Sequence, residues 1–259
     1  MVVRFEHALG RSGARIHPPA LIELGGPALR RSGSANLRRI GRLIPDSVWR
    51  VGYAAASIAL APHHLYGWQN RFDDPERAYR TLYCATERLT CLYEVLADIR
   101  PNTAMLVEWA QLYGGAGLGD LRLAGRITWE WRRQRTLAEA LVILDGEFAD
   151  LDDVVVRAEL EARHAPLLAE HGMQHLDISQ VRSKSRNVTQ TISRSLYEEG
   201  YAGLRFRSNL DDAECFALFE GRARLEATGR ESEPLTRDLP ELLQTVSDFE
   251  LIAKRVWSP

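Results

Sequence analysis

The chain has 259 residues, of which 45% are hydrophobic and 26% are charged, and its formal net charge is −2. These values are ordinary for a globular protein and exclude a collagen-like, fibrous or wholly disordered chain. The length is sufficient for a hydrophobic core that needs neither disulfides nor a metal to fold.

The cysteines and the first residues indicate a compartment. Cys84, Cys91 and Cys215 form no CxxC pair, so the sequence predicts neither a disulfide framework nor a zinc ribbon, and favours reduced thiols. The first twenty residues lack the apolar segment of a signal peptide, and the longest mild apolar run, Val51 to Pro62, is too short to span a bilayer. We therefore expect a cytoplasmic protein without a membrane-spanning segment.

The charge is distributed unevenly along the chain. Residues 1–45 contain eight arginines and two glutamates, a net charge of +6, so the remainder is acidic. Glycine, serine and proline interrupt this basic arm and predict mostly irregular structure. A basic arm is compatible with nucleic acid or an acidic partner, but few aromatic residues are interleaved with the arginines. We therefore favour a solvated or partner-packed arm over nucleic-acid binding.

Strands and a helix are predicted next along the chain. Ser47 to Tyr53 and Arg80 to Cys84 are short runs rich in aromatic and aliphatic residues, which predicts two strands. Thr86 is the expected N-cap of a helix that ends before Pro101. One stripe of this helix is apolar: Leu89, Leu92, Leu96 and Ile99.

The second half mixes helical and extended patterns. Residues 126–132 alternate and residues 138–144 are apolar, with uncertain boundaries. Val188, Ile192 and Leu196 lie four apart, which predicts a helix that Gly200 terminates before a strand in GLRFRS. Residues 223–238 are typical of a tether, and Pro240 can open a last helix or tail. Because no regular βαβ alternation is present, the sequence predicts an α+β fold.

Common functional motifs are weak or absent. The glycines of YGGAGLGD, residues 113–120, do not follow the GxGxxG order of a dinucleotide loop. His164, His171 and His175 have nearly helical spacing, but Gly172 interrupts it and no cysteine lies nearby, so we predict no metal site. The sequence contains no GxSxG elbow and no Walker loop.

Two long segments, residues 46–98 and 188–220, contain an ordered series of short motifs. These are WRV around Arg50, RFD around Arg71, LYCATERLTCLYEVL with Tyr83 and Glu94, and GLRFRSNLDDAECFALFE with Ser208. In this order and spacing they resemble the RES-domain family, over most of residues 46–222. One departure is Phe206, where the family commonly has tyrosine.

The resemblance implies a RES domain related to the ADP-ribosyltransferase fold, with NAD as substrate and no other cofactor. It implies that Arg50 and Arg71 hold the phosphates or ribose of NAD, that Tyr83 lines the nicotinamide side, and that Glu94 and Ser208 flank the reacting ribose. It also implies a toxin of a RES/Xre toxin–antitoxin pair, with an Xre-type antitoxin as partner. The resulting division is a basic arm 1–45, a catalytic domain 46–222 and a C-terminal extension 223–259.

Each of these residues also has a structural alternative. Glu94 lies opposite the apolar stripe of its helix, so periodicity alone predicts a solvated side chain. Arg71 can pair with Asp73 or Asp74 at the surface, and Ser208 can serve only the turn after its strand. The function predicted by the resemblance is an NAD phosphorylase or NAD glycohydrolase. A protein ADP-ribosyltransferase, a non-catalytic RES-like binding module and a homo-oligomer remain open.

Overall fold

The computed structural model describes residues 45, 47–114, 125, 127–182 and 186–251. All of them fall within one unit of the chain, Asn36–Pro259. The basic arm predicted for residues 1–45 therefore lies outside the described residues apart from Pro45, as do residues 115–120 of the glycine-rich segment. No described helix is long and apolar enough to cross a membrane.

The described residues form strands and helices in mixed order, which confirms the α+β class. The strands are β1 (Val48–Tyr53), β2 (Thr81–Ala85), β3 (Arg135–Leu144), β4 (Phe148–Asp150), β5 (Gly203–Arg207), β6 (Glu214–Phe219), β7 (Ala223–Ala227) and β8 (Glu233–Pro234). The helices are α1 (Arg88–Leu96), α2 (Thr103–Tyr113), α3 (Trp129–Arg133), α4 (Val154–Arg163), α5 (Ala165–Glu170), α6 (Ile178–Val181), α7 (Arg186–Glu198) and α8 (Pro240–Asp248). Short 3₁₀ turns occupy His63–Leu65 and Ala97–Ile99.

Within the described residues, the strands form one mixed sheet in the order β4-β5-β6-β2-β1-β3-β7, with β8 paired to β3. The β4–β5 pair is parallel and the other pairs are antiparallel. Alternate residues of β6 contribute to two different core clusters: Phe219 belongs to the cluster that contains α1 and α7, and Phe216 belongs to the other. The sheet is therefore buried on both faces, with β1 and β2 near its centre.

Helix α1 begins one residue later than the sequence predicts. Its N-cap is Glu87 and not Thr86, because the backbone N–H of Thr86 continues the β2–β6 ladder and donates to the carbonyl of Glu214 at 3.0 Å. Leu92 and Leu96 of the predicted stripe are fully buried. The predicted helix with Val188, Ile192 and Leu196 is confirmed as α7, and all three of these side chains are buried.

The tether predicted for residues 223–238 is wrong. Residues 223–227 form β7, and each of them pairs with a residue of β3. Glu233 of β8 pairs with Leu137 of β3. Leu225 and Leu235 are buried, so this segment completes the sheet and its core. The sequence underestimates it because charged residues alternate with the few apolar ones on an edge strand. The helix expected at Pro240 is present as α8.

Gly52 in β1 permits a close approach that a side chain would block. A Cβ atom built at this position would lie 1.8 Å from the carbonyl oxygen of Ser57. We expect Gly52→Ala to lower the free energy of unfolding by about 3 kcal/mol or more, because the turn after β1 must move to relieve the overlap. Thermal unfolding measures this effect. Gly67→Ala is the control, because a Cβ atom there meets nothing within 4 Å, and an equal loss in both variants would contradict the prediction.

Candidate active site

A cavity of about 640 Å³ lies where β1, β2 and α1 meet the loops that precede β2 and follow β5. This volume is within the range of small-molecule and cofactor sites, about 300–1,000 Å³. Four of the five predicted site residues line it: Arg50, Arg71, Tyr83 and Glu94. They come from three secondary-structure elements and one loop, so only the folded chain brings them together.

Arg50 lies in β1, and the described residues bind its guanidinium through Nη1 but not through Nε. Its Nη1 donates to the carbonyl oxygen of Tyr83 at 2.7 Å, which fixes the guanidinium between neighbouring strands. Its Nε is buried and forms no hydrogen bond with any described residue. Burial lowers the pKa of Arg50 from its ordinary value. A buried guanidinium nitrogen without a hydrogen-bond partner lowers the stability of a protein.

Arg71 has a similar environment. Its Nη1 is buried and has no hydrogen-bond partner in the part of the chain that the structure describes. Its Cζ lies 5.9 Å from the ring centre of Phe72 and 5.7 Å from that of Phe206. Burial lowers the pKa of Arg71, while the negative charge of Glu94 opposes this effect. The surface ion pair with Asp73 or Asp74 that the sequence allowed is not formed by Arg71 among the described residues.

Helix α7 holds the main chain of the Arg71 loop. Thr189 Oγ1 donates to the carbonyl of Arg71 at 2.7 Å, and Ser193 Oγ donates to the carbonyl of Phe72 at 2.8 Å. Gln190 Nε2 donates to the carbonyl of Asn70 at 2.9 Å. These three bonds attach successive carbonyls of an irregular segment to one helix face. The position of the Arg71 backbone is therefore fixed independently of its side chain.

Glu94 is not on a solvated face, which corrects the expectation from periodicity alone. The residue is half-buried, it lines the cavity, and its Oε1 is buried without a hydrogen-bond partner among the residues described. The helical pattern identified the apolar stripe of α1 correctly. It could not reveal that the loop before β2 and the segment after β5 cover the other side of the helix.

The Tyr83 side chain is held through its hydroxyl. This group donates to Asp73 Oδ1 at 3.0 Å and accepts the backbone N–H of Phe72 at 3.0 Å. Burial and the negative charge of Asp73 raise the pKa of Tyr83 well above its ordinary value, so the hydroxyl stays protonated and can donate. Tyr83 thus connects β2 to the loop that contains Arg71.

Ser208 does not line the cavity. It is fully buried, and its Oγ accepts the backbone N–H of Leu210 at 3.1 Å, while its own N–H donates to the carbonyl of Ala213 at 2.9 Å. These bonds form the turn that serine and asparagine favour. The turn brings Asn209 and Leu210 to the cavity wall. A role of Ser208 at the reacting ribose stays a prediction.

The C-terminal segment braces the helix that contains Glu94. Arg88 donates to Glu233 at 2.6 and 2.8 Å and to Glu241 at 2.6 Å. One turn further along α1, the Tyr93 hydroxyl donates to Asp248. Because these contacts tie β8 and α8 to α1, residues after 222 help to position the cavity.

The described residues contain no group of three or more metal-ligating side chains. Of the three histidines with nearly helical spacing, His175 Nδ1 lies 3.1 Å from Glu161 Oε1, and His171 Nδ1 lies 3.0 Å from the carbonyl of Leu167. Burial lowers the pKa of His164. The side chains that line the cavity include arginine, carboxylate and aromatic groups.

Sequence reasoning missed two residues of the site. Tyr66 lines the cavity from an irregular loop that has no pattern by which to identify it. Asp73 is fully buried and binds both Tyr66 and Tyr83. Asp73 belongs to the RFD motif, two residues after Arg71. The sequence indicated it only as a possible ion-pair partner of Arg71 at the surface.

The sequence matches one known protein family over most of its length. The family model described as RES domain matches residues 47–238. No curated protein matches the sequence. In the crystal structure of the M. tuberculosis MbcT-MbcA toxin-antitoxin complex, one chain is similar with 13% sequence identity and a TM-score of 0.41, over 80% of this chain and 88% of that chain. A structural likeness of that extent is too weak to transfer a function.

The hydroxyl network predicts the effect of removing one oxygen atom. We expect Tyr83→Phe to lower the free energy of unfolding by about 1–3 kcal/mol, because the buried N–H of Phe72 loses its acceptor and Asp73 loses a donor. Tyr53→Phe is the control, since the Tyr53 hydroxyl forms no hydrogen bond among the described residues and its ring contact with Arg135 is retained. Chemical denaturation of both variants measures the difference, and similar stabilities would contradict the network.

Proposed function

Because the chain belongs to the RES domain family, we propose that it degrades NAD by cleaving the bond between nicotinamide and ribose. Phosphate or water accepts the ADP-ribosyl group, which corresponds to an NAD phosphorylase or an NAD glycohydrolase. The proposal includes an Xre-type antitoxin as the protein partner that restrains this activity. The family resemblance alone supports that partner.

One observation supports the site of this reaction. Three charged side chains that line the same cavity each have a buried atom that no described residue pairs by a hydrogen bond: Arg50 Nε, Arg71 Nη1 and Glu94 Oε1. Unpaired buried charges destabilise a protein, and they are typical of sites that are completed by a ligand. A ligand that satisfies all three has anionic groups for the arginines and a cationic or hydroxyl-bearing group for the carboxylate. NAD has a pyrophosphate, ribose hydroxyls and a positively charged nicotinamide ring.

The proposed chemistry assigns a separate role to Glu94. When the glycosidic bond breaks, its electron pair leaves with nicotinamide, which departs as a neutral molecule, and positive charge develops on the ribose as an oxocarbenium ion. A carboxylate near this carbon stabilises the developing charge and can hold a ribose hydroxyl. The oxygen of the acceptor then forms the new bond, and for water the proton is released to solvent.

Arginine suits the anionic part of this substrate. The planar guanidinium donates two parallel hydrogen bonds to phosphate oxygens, which the single ammonium of lysine does not do as well. Arginine stays protonated in proteins, and the guanidinium groups of Arg50 and Arg71 are therefore suited to an anionic ligand. Because the pyrophosphate is present before the bond breaks, these contacts contribute to substrate binding as well as to the transition state.

The first test is release of free nicotinamide from NAD by the purified full chain, with and without inorganic phosphate. We expect release, and Glu94→Gln should lower its rate by about 100- to 1,000-fold while the melting temperature stays within about 2 °C, because the substitution removes no core packing. Glu87→Gln, at the exposed N-cap of the same helix, should keep the parent rate. No release by the parent chain under either condition would overturn the proposal. If NAD labelled in its ADP-ribose part gives labelled protein in place of small products, the enzyme is an ADP-ribosyltransferase.

Arg71→Ala should change the KM for NAD as well as the rate, unlike Glu94→Gln. We expect the KM for NAD to rise at least tenfold, together with a lower kcat, because a phosphate contact made in the ground state is lost. The backbone of the loop stays attached to α7, so folding should be retained. Initial rates over a range of NAD concentrations separate the two constants. A variant with the parent KM would remove Arg71 from the phosphate site.

A further inference from the structure

Two tyrosine rings in the cavity wall share one buried carboxylate. Tyr66, in the loop before β2, and Tyr83, in β2, both line the cavity. The Tyr66 hydroxyl donates to Asp73 Oδ1 at 2.5 Å, and the Tyr83 hydroxyl donates to the same oxygen at 3.0 Å. The two rings are therefore linked at their polar ends.

Asp73 has no cationic partner among the described residues. Its side chain is fully buried, and its second oxygen, Oδ2, accepts the backbone N–H of Asn70 at 2.7 Å. Two hydroxyls and one amide thus replace water around an isolated carboxylate, and burial of such a group is expensive. The carboxylate is retained in this buried position because it accepts all three of these hydrogen bonds, and an apolar side chain would leave both hydroxyls and the Asn70 N–H without this acceptor.

The hydroxyls are also fixed from the opposite side. Tyr66 Oη accepts the backbone N–H of Thr81 at 3.0 Å, and Tyr83 Oη accepts that of Phe72 at 3.0 Å. The loop that contains Tyr66 is anchored a second time, since Arg80 Nη1 donates to the carbonyl of Ala61 at 2.7 Å. Each ring is consequently fixed in position and orientation in the absence of a ligand.

We infer that Asp73 is a positioning residue that fixes Tyr66 and Tyr83 as an aromatic wall against which a planar base of the dinucleotide stacks. The identity of the ligand rests on the proposed function, whereas the wall itself rests on the hydrogen bonds at the two hydroxyls. Aromatic side chains bind bases by stacking, and a preorganised ring loses little freedom on binding. Tyr66 is thereby assigned as a second aromatic contact for the substrate.

The experiment measures affinity without cleavage. Carba-NAD, in which a methylene group replaces the oxygen of the nicotinamide ribose ring, cannot form the oxocarbenium ion and serves as the probe. We expect Asp73→Asn to weaken its binding by about tenfold, because the amide cannot accept both tyrosine protons and the Asn70 N–H together. With NAD, KM should rise by a similar factor while kcat falls less than about threefold, because stacking is equal in ground state and transition state.

Two further variants separate positioning from folding. Asp74→Asn changes the neighbouring buried carboxylate, which pairs with Arg194 and accepts the N–H of Ala78 but does not contact either cavity tyrosine. It should destabilise the protein and leave carba-NAD affinity within about twofold. Tyr66→Phe retains the ring and should weaken binding less than Tyr66→Leu, which removes it.

The outcomes distinguish the two proposals. A parent chain that binds carba-NAD but does not cleave NAD overturns the proposed reaction and leaves the Asp73 comparison intact. Unchanged carba-NAD affinity in Asp73→Asn, or an equal loss in Asp74→Asn, overturns the positioning role even if NAD is cleaved. A parent chain that neither binds nor cleaves overturns both.

Discussion

The attachment of one irregular loop to helix α7 determines the rest of the site. Side chains of Thr189, Gln190 and Ser193 satisfy three consecutive carbonyls, those of Asn70, Arg71 and Phe72. Because the main chain is held by hydrogen bonds to α7, the guanidinium of Arg71 is not needed to fix its own loop. Arg71 lines the cavity, and one of its donors has no partner among the described residues. If ion pairs of the Arg71 guanidinium held the loop in place, this donor would be occupied.

A second constraint comes from beyond the motifs. Arg88 binds Glu233 and Glu241, and its Cζ lies 4.6 Å from the ring centre of Trp49. These contacts connect α1 to the C-terminal segment on one side and to β1 on the other. The position of Glu94 on α1 relative to Arg50 on β1 is thus fixed by Arg88, which does not itself line the cavity. The match of the family model through residue 238 includes Glu233 but not Glu241.

Three charged side chains of the cavity wall are only partly paired by the described residues. Two buried guanidinium groups and one carboxylate have unpaired atoms, whereas the nearby Asp73 is fully paired by neutral donors. This contrast separates two uses of buried charge. Unpaired groups facing a cavity are available to a ligand and reduce stability, and a paired group such as Asp73 stabilises one geometry.

The sequence by itself determined the elements with strong periodicity and the ordered motifs. The stripe of Leu92 and Leu96, the spacing of helix α7 and the strand at Gly203–Arg207 are local patterns, so the chain shows them without tertiary information. The resemblance carried by Arg50, Arg71, Tyr83 and Glu94 likewise depends only on their order.

Tertiary structure alone decided which faces became buried. Periodicity placed Glu94 in solvent because it describes one helix, and the segments that cover its other side are distant in sequence. The strands at 223–227 and 233–234 were missed because an edge strand needs few apolar residues once β3 provides its hydrogen bonds. The role of Asp73 is non-local in the same way, since one carboxylate becomes a binding partner only when the fold brings two tyrosine hydroxyls within hydrogen-bond distance.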